Sequence, residues 1–288
     1  MKIAVIGANG QFGSDIVRAA RVRGLQVVPL EHADADVRDA QSLRRSLADI
    51  NAGDAVINTA AFHKSEDCEA DPEMAVAVNT RGAYHAAEAA KVRGATAVYV
   101  STDFVFDGTK RTPYVESDEP APLSVYGATK YAGEALVRSA PKHYVVRVSS
   151  LFGISGARSK GGNFVETMLA LARRGEAPRV VDDLVMSPTS SADAAGLLLD
   201  LFARDAPAGI YHCSNEGACS WREFADEIFV QCGLTVRAQP IKSSDMGVRA
   251  RRPAYSALAS EKLEALGLHA RPWREALGDY LREKGHRT

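Results

Sequence analysis

The sequence lacks an excess of charge of either sign and any long apolar run. Its 35 basic and 36 acidic residues leave a formal net charge of −1, so a surface for nucleic acid or for an anionic membrane is not expected. The first apolar run, within MKIAVIGANG, is too short for a signal peptide or a membrane span. We therefore expect a cytoplasmic protein with no membrane partner.

Cysteine is also scarce, and the spacing of the four cysteines excludes two roles. They form neither a CxxC pair nor a zinc-binding pattern, so we expect reduced, structural thiols and no metal site. They are Cys68, Cys213, Cys219 and Cys232. What remains is an ordinary globular composition, with 46% hydrophobic and 25% charged residues in a chain of 288, which is enough for one large domain or two modest ones.

Short runs rich in valine and isoleucine alternate with helical patterns through the first half of the chain. Such continuous apolar runs are typical of parallel strands covered on both faces. The predicted strands are residues 2–6, 25–30, 54–58, 95–100 and 143–148. Asp71 and Pro72 predict the start of a helix that runs to about Lys91, and Ser220 with Glu223 forms a capping-box pattern. The alternation predicts an α/β fold with a doubly wound, Rossmann-like parallel sheet.

The stretch GANGQFG follows the first predicted strand and contains Gly7, Gly10 and Gly13. A tight turn needs a residue that can take a positive φ, and a closely approaching pyrophosphate needs one without a Cβ. The helix that follows would direct its free amides at that phosphate. The pattern therefore predicts a dinucleotide site; the alternative is a tight strand–helix turn without a ligand.

An acidic residue is expected at the end of the second strand, where it would bind the ribose hydroxyls of a dinucleotide. Glu31 occupies that position, and Asp36 with Val37 could line the adenine. No arginine follows the strand directly to neutralise a 2′-phosphate, and His32 is the nearest candidate. The cofactor is thus NADH or NADPH, and the sequence favours NADH.

The alternation loosens after about residue 150, beginning with a predicted loop at 153–162. We expect residues 1–150 to form the dinucleotide-binding domain, completed by a crossover near 178–204. Residues 151–288 should form mainly a smaller, mixed substrate-binding lobe. The connection from Ser101 to Tyr126 is long, as functional loops often are.

Tyr126 and Lys130 lie at i and i+4 on the first turns of a predicted helix. A packed ring beside a solvated cation is the simple structural interpretation of such a pair. Downstream of a dinucleotide-binding loop, however, Tyr-x-x-x-Lys resembles the signature of the short-chain dehydrogenase/reductase superfamily. Thr102, at the end of the preceding strand, matches the third member of that superfamily's triad. The resemblance implies that Tyr126 donates the proton in carbonyl reduction. Lys130 would bind the nicotinamide ribose and lower the phenol pKa, while Thr102 would hold the substrate oxygen.

Motifs along nearly the whole chain resemble the dTDP-4-dehydrorhamnose reductase family. They are GANGQFG, STDFVFDG, PYVESDEPAPLSVYGATKYAGE, GGNFVETM, SPTSSADAA, GIYHCSN and RRPAYSALAS. Members of that family reduce the C4 ketone of a nucleotide-linked 4-keto-6-deoxyhexose with NADH or NADPH. The resemblance implies that Thr102 and Asp103 face the sugar. It also implies cofactor contacts at Gly10, Gln11, Phe12, Ala60, Ala61, Phe62, Val100, Tyr126 and Lys130.

The sequence departs from that family's pattern on the substrate side. Phe104 stands where the family usually has tyrosine, and Ser150 stands where it has a tryptophan that stacks on the sugar. His63 and Lys64 lie beside the expected nicotinamide path, where His63 is either a polar contact for the sugar or an ordinary loop residue. The triad is spared, so reductase chemistry is better supported than the identity of the sugar.

Two other functions stay open. A nucleotide-sugar 4-epimerase could use the same triad for transient oxidation at C4, and some relatives are non-catalytic dinucleotide-binding regulatory subunits. A dehydratase is disfavoured because Phe104 cannot act as the carboxylic base that dehydratases need. Arg249, Arg251 and Arg252 either bind the substrate diphosphate or form a solvated surface. A homodimer is compatible with the sequence.

Overall fold

A computed structural model describes residues 1–155 and 162–287 of the chain. The strands are β1 (Lys2–Ile6), β2 (Gln26–Leu30), β3 (Ala55–Asn58), β4 (Thr96–Thr102), β5 (His143–Val148), β6 (Leu151–Phe152), β7 (Arg179–Val181), β8 (Val185–Met186), β9 (Thr189–Ser190), β10 (Gly209–His212), β11 (Cys219–Ser220) and β12 (Gln239–Ile241). The α-helices are α1 (Gln11–Val22), α2 (Ala40–Ser46), α3 (Ser65–Ala70), α4 (Pro72–Ala75), α5 (Gly82–Val92), α6 (Val125–Val137), α7 (Phe164–Arg173), α8 (Ser191–Ala203), α9 (Trp221–Gln231), α10 (Glu261–Ala265) and α11 (Trp273–Glu283).

Six parallel strands form the main sheet, in the order β10-β5-β4-β3-β1-β2. β2 lies on one side of β1, and β3, β4, β5 and β10 lie on its other side. The chain connection after β1 therefore leads to one side of that strand, and the connection after β2 crosses back to the other side. Ligands of such sheets bind at the carboxyl ends of the strands where the direction reverses. That position lies between β1 and β3, beside the glycine-rich turn. The predicted doubly wound sheet is confirmed.

Two apolar layers cover the faces of this sheet. One contains Phe12 and Ile16 of α1 with Leu198 and Leu201 of α8. The other contains Leu43 of α2 with side chains of α5 and α6. Valine and isoleucine side chains of the strands point alternately into the two layers, which is why the strands are apolar throughout rather than at every second residue.

A third apolar cluster lies in the second half of the chain, where α7, α9 and α11 pack together around Phe152, Phe224 and Trp273. Short strand pairs border it, β8 with β11 and β7 with β12. Helix α8 packs on α1, however, and β10 extends the main sheet beside β5. The later part of the chain thus contributes elements to both halves of the fold, and the division into two functional lobes stays a prediction.

Local sequence signals account for the ends of several helices. Asp71 caps α4 by accepting a hydrogen bond from the Met74 amide, and Ser220 with Glu223 forms the predicted capping box of α9. The single helix expected from Asp71 to Lys91 is instead interrupted by a π-helical turn, Val76–Arg81. Most of the predicted loop at 153–162 lies outside the described residues.

All four cysteines are free thiols, as expected from their spacing. Within residues 1–155 and 162–287, no helix is both long and apolar enough to cross a lipid bilayer.

Candidate active site

The glycine-rich turn brings the start of α1 against the end of β1. Gly7 has a φ of +79°, a conformation that favours glycine. A Cβ on Gly13 would lie 2.2 Å from the Gly7 carbonyl oxygen, so α1 can approach the turn this closely only because Gly13 has no side chain. Both glycines are therefore required by the backbone geometry itself.

The amino terminus of α1 is suited to an anion. Gly10 caps the helix without a side-chain hydrogen bond, and the first turn carries no acidic residue. The Gln11 side-chain oxygen is buried and has no hydrogen-bond partner among the described residues. Phe12 packs into the core, so only its backbone can serve a ligand. The free amides and the absent Cβ atoms fit the pyrophosphate of a dinucleotide.

The acidic residues predicted near the ribose and adenine have different surroundings. Glu31 accepts a hydrogen bond of 2.7 Å from Asn9 Nδ2, which places its carboxylate beside the glycine-rich turn. Asp36 is bound by the Arg38 guanidinium, with its Oδ2 2.7 Å from Nη2. That bond lowers the pKa of Asp36 to about 2. Val37 is buried, and its carbonyl accepts a hydrogen bond of 2.9 Å from His85 Nδ1.

The loop after β3 contains the predicted residues Ala60, Ala61, Phe62 and His63, and Asn79 fixes its position. Asn79 Oδ1 accepts from the Phe62 amide at 2.9 Å, and Asn79 Nδ2 donates to the Phe62 carbonyl at 3.0 Å and to Thr129 Oγ1 at 3.1 Å. Asn79 is fully buried and belongs to the π-helical turn. It thus joins this loop to α6, the helix of Tyr126 and Lys130.

Sequence reasoning missed Asn79, although a signal existed. Asparagine is unfavourable inside a helix because its side chain competes for backbone hydrogen bonds. An asparagine within an otherwise alanine-rich helical segment therefore indicates a specific polar contact.

Lys130 is buried at the carboxyl end of β4. Its Nζ donates to the Val100 carbonyl at 2.6 Å and lies 4.0 Å from the centre of the Tyr99 ring. Burial lowers the pKa of Lys130 to about 7, while the negative charge of Glu134 acts in the opposite direction. The ammonium form is therefore poised near neutral pH. Val100, predicted on the cofactor path, contributes its backbone to this contact.

The Tyr126 phenol lies between Thr102 and Phe104. Burial raises the pKa of Tyr126 above its usual range, and the Thr102 hydroxyl acts in the opposite direction. The lowered phenol pKa expected from the sequence is therefore wrong for the protein alone, because the loss of solvent outweighs the neighbouring groups. The Phe104 ring meets the Tyr126 ring edge-on, with centroids 5.8 Å apart, and contributes to that loss of solvent.

A buried ion pair between Glu134 and Arg147 lies one helical turn after Lys130. Arg147 of β5 binds the Glu134 carboxylate through Nε at 2.9 Å and Nη2 at 2.7 Å, and Ser101 Oγ donates to the same carboxylate at 2.5 Å. Both side chains of the ion pair are 1% exposed. This pair was not predicted, because neither residue belongs to the triad pattern.

Asp103 and Ser150 are two of the residues predicted on the substrate side. The Asp103 carboxyl is enclosed by the hydroxyls of Thr102, Ser149 and Ser256, so it does not present a free face to a sugar. Ser150 has a φ of +43°, an uncommon conformation for a residue with a side chain. Its backbone therefore turns sharply at the carboxyl end of β5.

The chain segment with the arginines near residue 250 is hydrogen-bonded to Glu66 of α3, in the dinucleotide-binding half of the chain. The Glu66 carboxylate accepts from the backbone amides of Arg249 and Ala250, each at 3.0 Å. Arg249 and Arg251 are exposed, whereas the Arg252 Nε is buried with no hydrogen-bond partner in the described part of the chain. Among these three arginines, Arg252 is thus the one with a buried donor that is left unsatisfied in the described part of the chain.

A Rossmann sheet, a glycine-rich phosphate turn and a Thr–Tyr–Lys group together define an oxidoreductase of the short-chain dehydrogenase/reductase type. Comparison with known proteins narrows this class. Residues 1–285 match the family model described as RmlD substrate binding domain. The chain therefore belongs to the RmlD family, as its motifs predicted.

Individual relatives agree with this assignment. The spore coat polysaccharide biosynthesis protein SpsK of Bacillus subtilis is 39% identical over 284 residues, which cover 98% of each chain. A dTDP-4-dehydrorhamnose reductase of Burkholderia thailandensis is 38% identical, over 98% of this chain and 99% of its own. A crystal structure of dTDP-4-dehydrorhamnose reductase from Bacillus anthracis in complex with NADP has a TM-score of 0.92 and 34% identity, over 98% of this chain and 99% of that one.

Proposed function

We propose that this protein is an NAD(P)H-dependent reductase of the C4 ketone of a nucleotide-linked 4-keto-6-deoxyhexose, as dTDP-4-dehydrorhamnose reductases are. The observation that carries the proposal is the group formed by Thr102, Tyr126 and Lys130. It lies at the carboxyl ends of the sheet strands, on the same edge as the glycine-rich turn, in a chain that belongs to the RmlD family.

The side chains of this group divide the work of carbonyl reduction. A bound nicotinamide supplies the hydride. Tyr126 supplies the proton to the ketone oxygen, and its raised pKa keeps the phenol protonated until negative charge develops there. Lys130 lies one helical turn from Tyr126 and retains donors for a ribose hydroxyl, because the Val100 carbonyl takes only one of its three. Asn79 keeps the loop at Phe62 fixed against the same helix.

The preferred dinucleotide is NADH. Glu31 is held by Asn9 at the end of β2, where a carboxylate accepts from ribose hydroxyls and repels a 2′-phosphate. The Arg38 guanidinium, a candidate partner for that phosphate, is bound to Asp36. Replacement Glu31→Ala should therefore raise the ratio of kcat/KM for NADPH to that for NADH by at least tenfold. Glu176→Ala, at an exposed carboxylate in the loop before β7, is the control; an unchanged ratio in Glu31→Ala would contradict the preference.

The reaction can be followed by loss of reduced dinucleotide at 340 nm with a panel of 4-keto-6-deoxy nucleotide sugars. Oxidation of one dinucleotide per sugar is expected. Interconversion of sugars without net oxidation would identify an epimerase, and binding of dinucleotide with no turnover of any sugar would identify a regulatory subunit. The substrate diphosphate is assigned to Arg252, so Arg252→Met should raise KM for the sugar and leave the Kd for dinucleotide unchanged.

Replacement of the proton donor tests the assigned chemistry. Tyr126→Phe should lose at least a hundredfold in kcat and keep the Kd for dinucleotide, because the ring remains and only the hydroxyl is lost. Tyr131→Phe, on the same helix, is the matched control and should retain activity. Wild-type turnover in Tyr126→Phe would refute the assignment of the proton donor.

A further inference from the structure

Glu66 of α3 holds the backbone of the chain segment that carries the arginines. Its Oε2 accepts from the Arg249 amide and its Oε1 accepts from the Ala250 amide, each at 3.0 Å. These two bonds lower the pKa of Glu66 below its ordinary value, so the acceptor is a charged carboxylate, and hydrogen bonds to a charged acceptor are stronger than those to a neutral one. Residues 249–256 are called the arginine segment below.

The other end of the arginine segment is fixed beside Thr102. Ser256 Oγ donates to the carboxyl of Asp103, the residue that follows Thr102, at 2.5 Å. A Cβ on Gly108, in the loop after β4, would lie 2.5 Å from the Ala254 amide nitrogen. The arginine segment therefore lies directly against the chain that leaves β4.

The helix that carries Glu66 is fixed beside Tyr126. Glu69, three residues after Glu66 on α3, accepts from the Val125 amide at 2.8 Å. Val125 is the first residue of α6 and directly precedes Tyr126. The arginine segment thus runs from the Thr102 side of the catalytic group to its Tyr126 side, and is held by a carboxyl at each end.

Arg252 lies between these two points of attachment. Its Nε is buried without a hydrogen-bond partner among the described residues, although buried donors in proteins are as a rule paired. An unpaired guanidinium donor indicates an anion that the protein itself does not supply. The Ala250 side chain is 3% exposed, so the backbone that leads to Arg252 is packed as well as hydrogen-bonded.

We propose that Glu66 is a positioning residue for the substrate, which keeps the arginine segment in place across the catalytic group with Arg252 ready to bind the substrate diphosphate. The inference rests on the proposed reductase function and on the assignment of the diphosphate to Arg252. Glu66 acts through Arg252 and contacts neither the sugar nor the dinucleotide. It lowers the KM for the sugar because the segment is ordered before the substrate arrives, so that binding does not have to order it.

The first test compares kinetic constants among variants of Glu66. Glu66→Ala removes both acceptors and should raise the KM for the sugar by about tenfold, which corresponds to the ordering of roughly one backbone residue on binding. The kcat and the Kd for dinucleotide should stay at their wild-type values. Glu66→Gln keeps one acceptor oxygen, so its KM should lie between those of the wild type and Glu66→Ala. Glu73→Ala, at an exposed carboxylate of α4, is the matched control and should leave the KM unchanged.

A double variant shows whether Glu66 acts through Arg252. In the Arg252→Met background the segment has no diphosphate contact to position, so Glu66→Ala should raise the KM little further. Two residues that act as one unit give such non-additive effects, whereas independent residues give additive ones. An equal rise of the KM in both backgrounds would show that Glu66 acts elsewhere and would overturn the proposal.

Amide hydrogen exchange tests the contact without substrate or turnover. The Arg249 and Ala250 amides should exchange faster in Glu66→Ala than in the wild type, because they lose their acceptor. The Ser256 amide, which donates to the Val185 carbonyl at 2.8 Å, should exchange at the wild-type rate, which distinguishes a local release from a loss of global stability. Unchanged exchange at Arg249 and Ala250 would overturn the proposal.

The remaining outcomes separate the inference from the function on which it rests. If the wild type reduces a 4-keto nucleotide sugar and Glu66→Ala has a wild-type KM, the positioning role is wrong and the function stands. A lower kcat with an unchanged KM would contradict the positioning role in the same way. If the wild type reduces no such sugar, the proposed function fails, and thymidine diphosphate then serves as the probe of the diphosphate site. Its Kd should rise in Glu66→Ala and in Arg252→Met, and an unchanged Kd in Glu66→Ala would overturn the inference as well.

Discussion

Replacement of Gly13 by alanine tests the geometry on which the dinucleotide site depends. The new Cβ would lie 2.2 Å from the Gly7 carbonyl oxygen and 3.0 Å from Ala8 Cα. Both are backbone atoms, so no side-chain rotation can relieve the contact, and α1 would have to move by about 1 Å to restore an ordinary separation. That movement would shift the backbone amides at the amino terminus of α1, which are suited to the pyrophosphate.

The expected change in the free energy of unfolding combines two opposing contributions. Overpacking against backbone costs about 3 kcal/mol at the upper end of the usual range, and alanine is favoured over glycine inside a helix by about 1 kcal/mol. Gly13→Ala should therefore lower the free energy of unfolding by about 2 kcal/mol. A shift of the helix amides should also weaken dinucleotide binding by at least tenfold, which corresponds to about 1.4 kcal/mol.

Urea unfolding followed by circular dichroism measures the free energy of unfolding, and fluorescence titration with NADH measures the Kd for the dinucleotide. Gly196→Ala in α8 is the control, because the nearest heavy atom to its Cβ is Arg23 Nη2 at 3.8 Å; it should be slightly stabilising and bind dinucleotide normally. Wild-type stability and wild-type Kd in Gly13→Ala would refute the close-approach argument. A loss of stability with an unchanged Kd would show that the dinucleotide does not use this turn.

Three further predictions concern the buried polar groups. Arg147→Met leaves the Glu134 carboxylate buried without its partner and should cost about 3–5 kcal/mol in urea unfolding, much of which the double variant with Glu134→Leu should recover; equal stability of the single and double variants would contradict this. Lys130→Met should gain stability relative to wild type at pH 6, where the wild type must bury an ammonium. The stability advantage of Lys130→Met should shrink as pH rises from about 7 towards 10. In that range the unfolded wild type holds a lysine proton that the folded wild type has released, so wild-type stability rises with pH. A stability difference that is independent of pH would refute the lowered pKa of Lys130. Asn79→Leu should raise the Kd for NADH more than Thr129→Val does, because only the first frees the loop at Phe62, and equal effects would show that the loop is held by other contacts.

The features predicted from the sequence are those encoded over short stretches of chain. Each of the five predicted strands was found within two residues of its predicted ends, because buried strands need uninterrupted apolar runs, whereas the sixth strand of the sheet, β10, was not predicted. The capping box at Ser220 was confirmed because it involves only neighbouring residues. The place of Tyr126 and Lys130 on one helix, downstream of the glycine-rich turn, was predicted in the same way.

The features that could not be predicted depend on groups brought together by folding. Asp103 meets Ser256 from 153 residues away, and no local pattern indicates that contact. The pKa of Tyr126 was predicted in the wrong direction, because the sequence shows the nearby cation and does not show how much solvent the phenol loses. The π-helical turn at Asn79 likewise follows from contacts with the Phe62 loop and with α6 rather than from helix propensity.

The last strand of the main sheet has a consequence for how the molecule is made. β10 pairs with β5 although more than sixty positions separate them in the chain, and the Cys213 amide just beyond it donates to the Arg147 carbonyl. A nascent chain that ends near residue 150 would leave the backbone of β5 unpaired along one side, and Arg147 without the cover of His212. Synthesis past about residue 213 is therefore required before the core around Lys130 can close, and a fragment cut after β5 should be prone to aggregation.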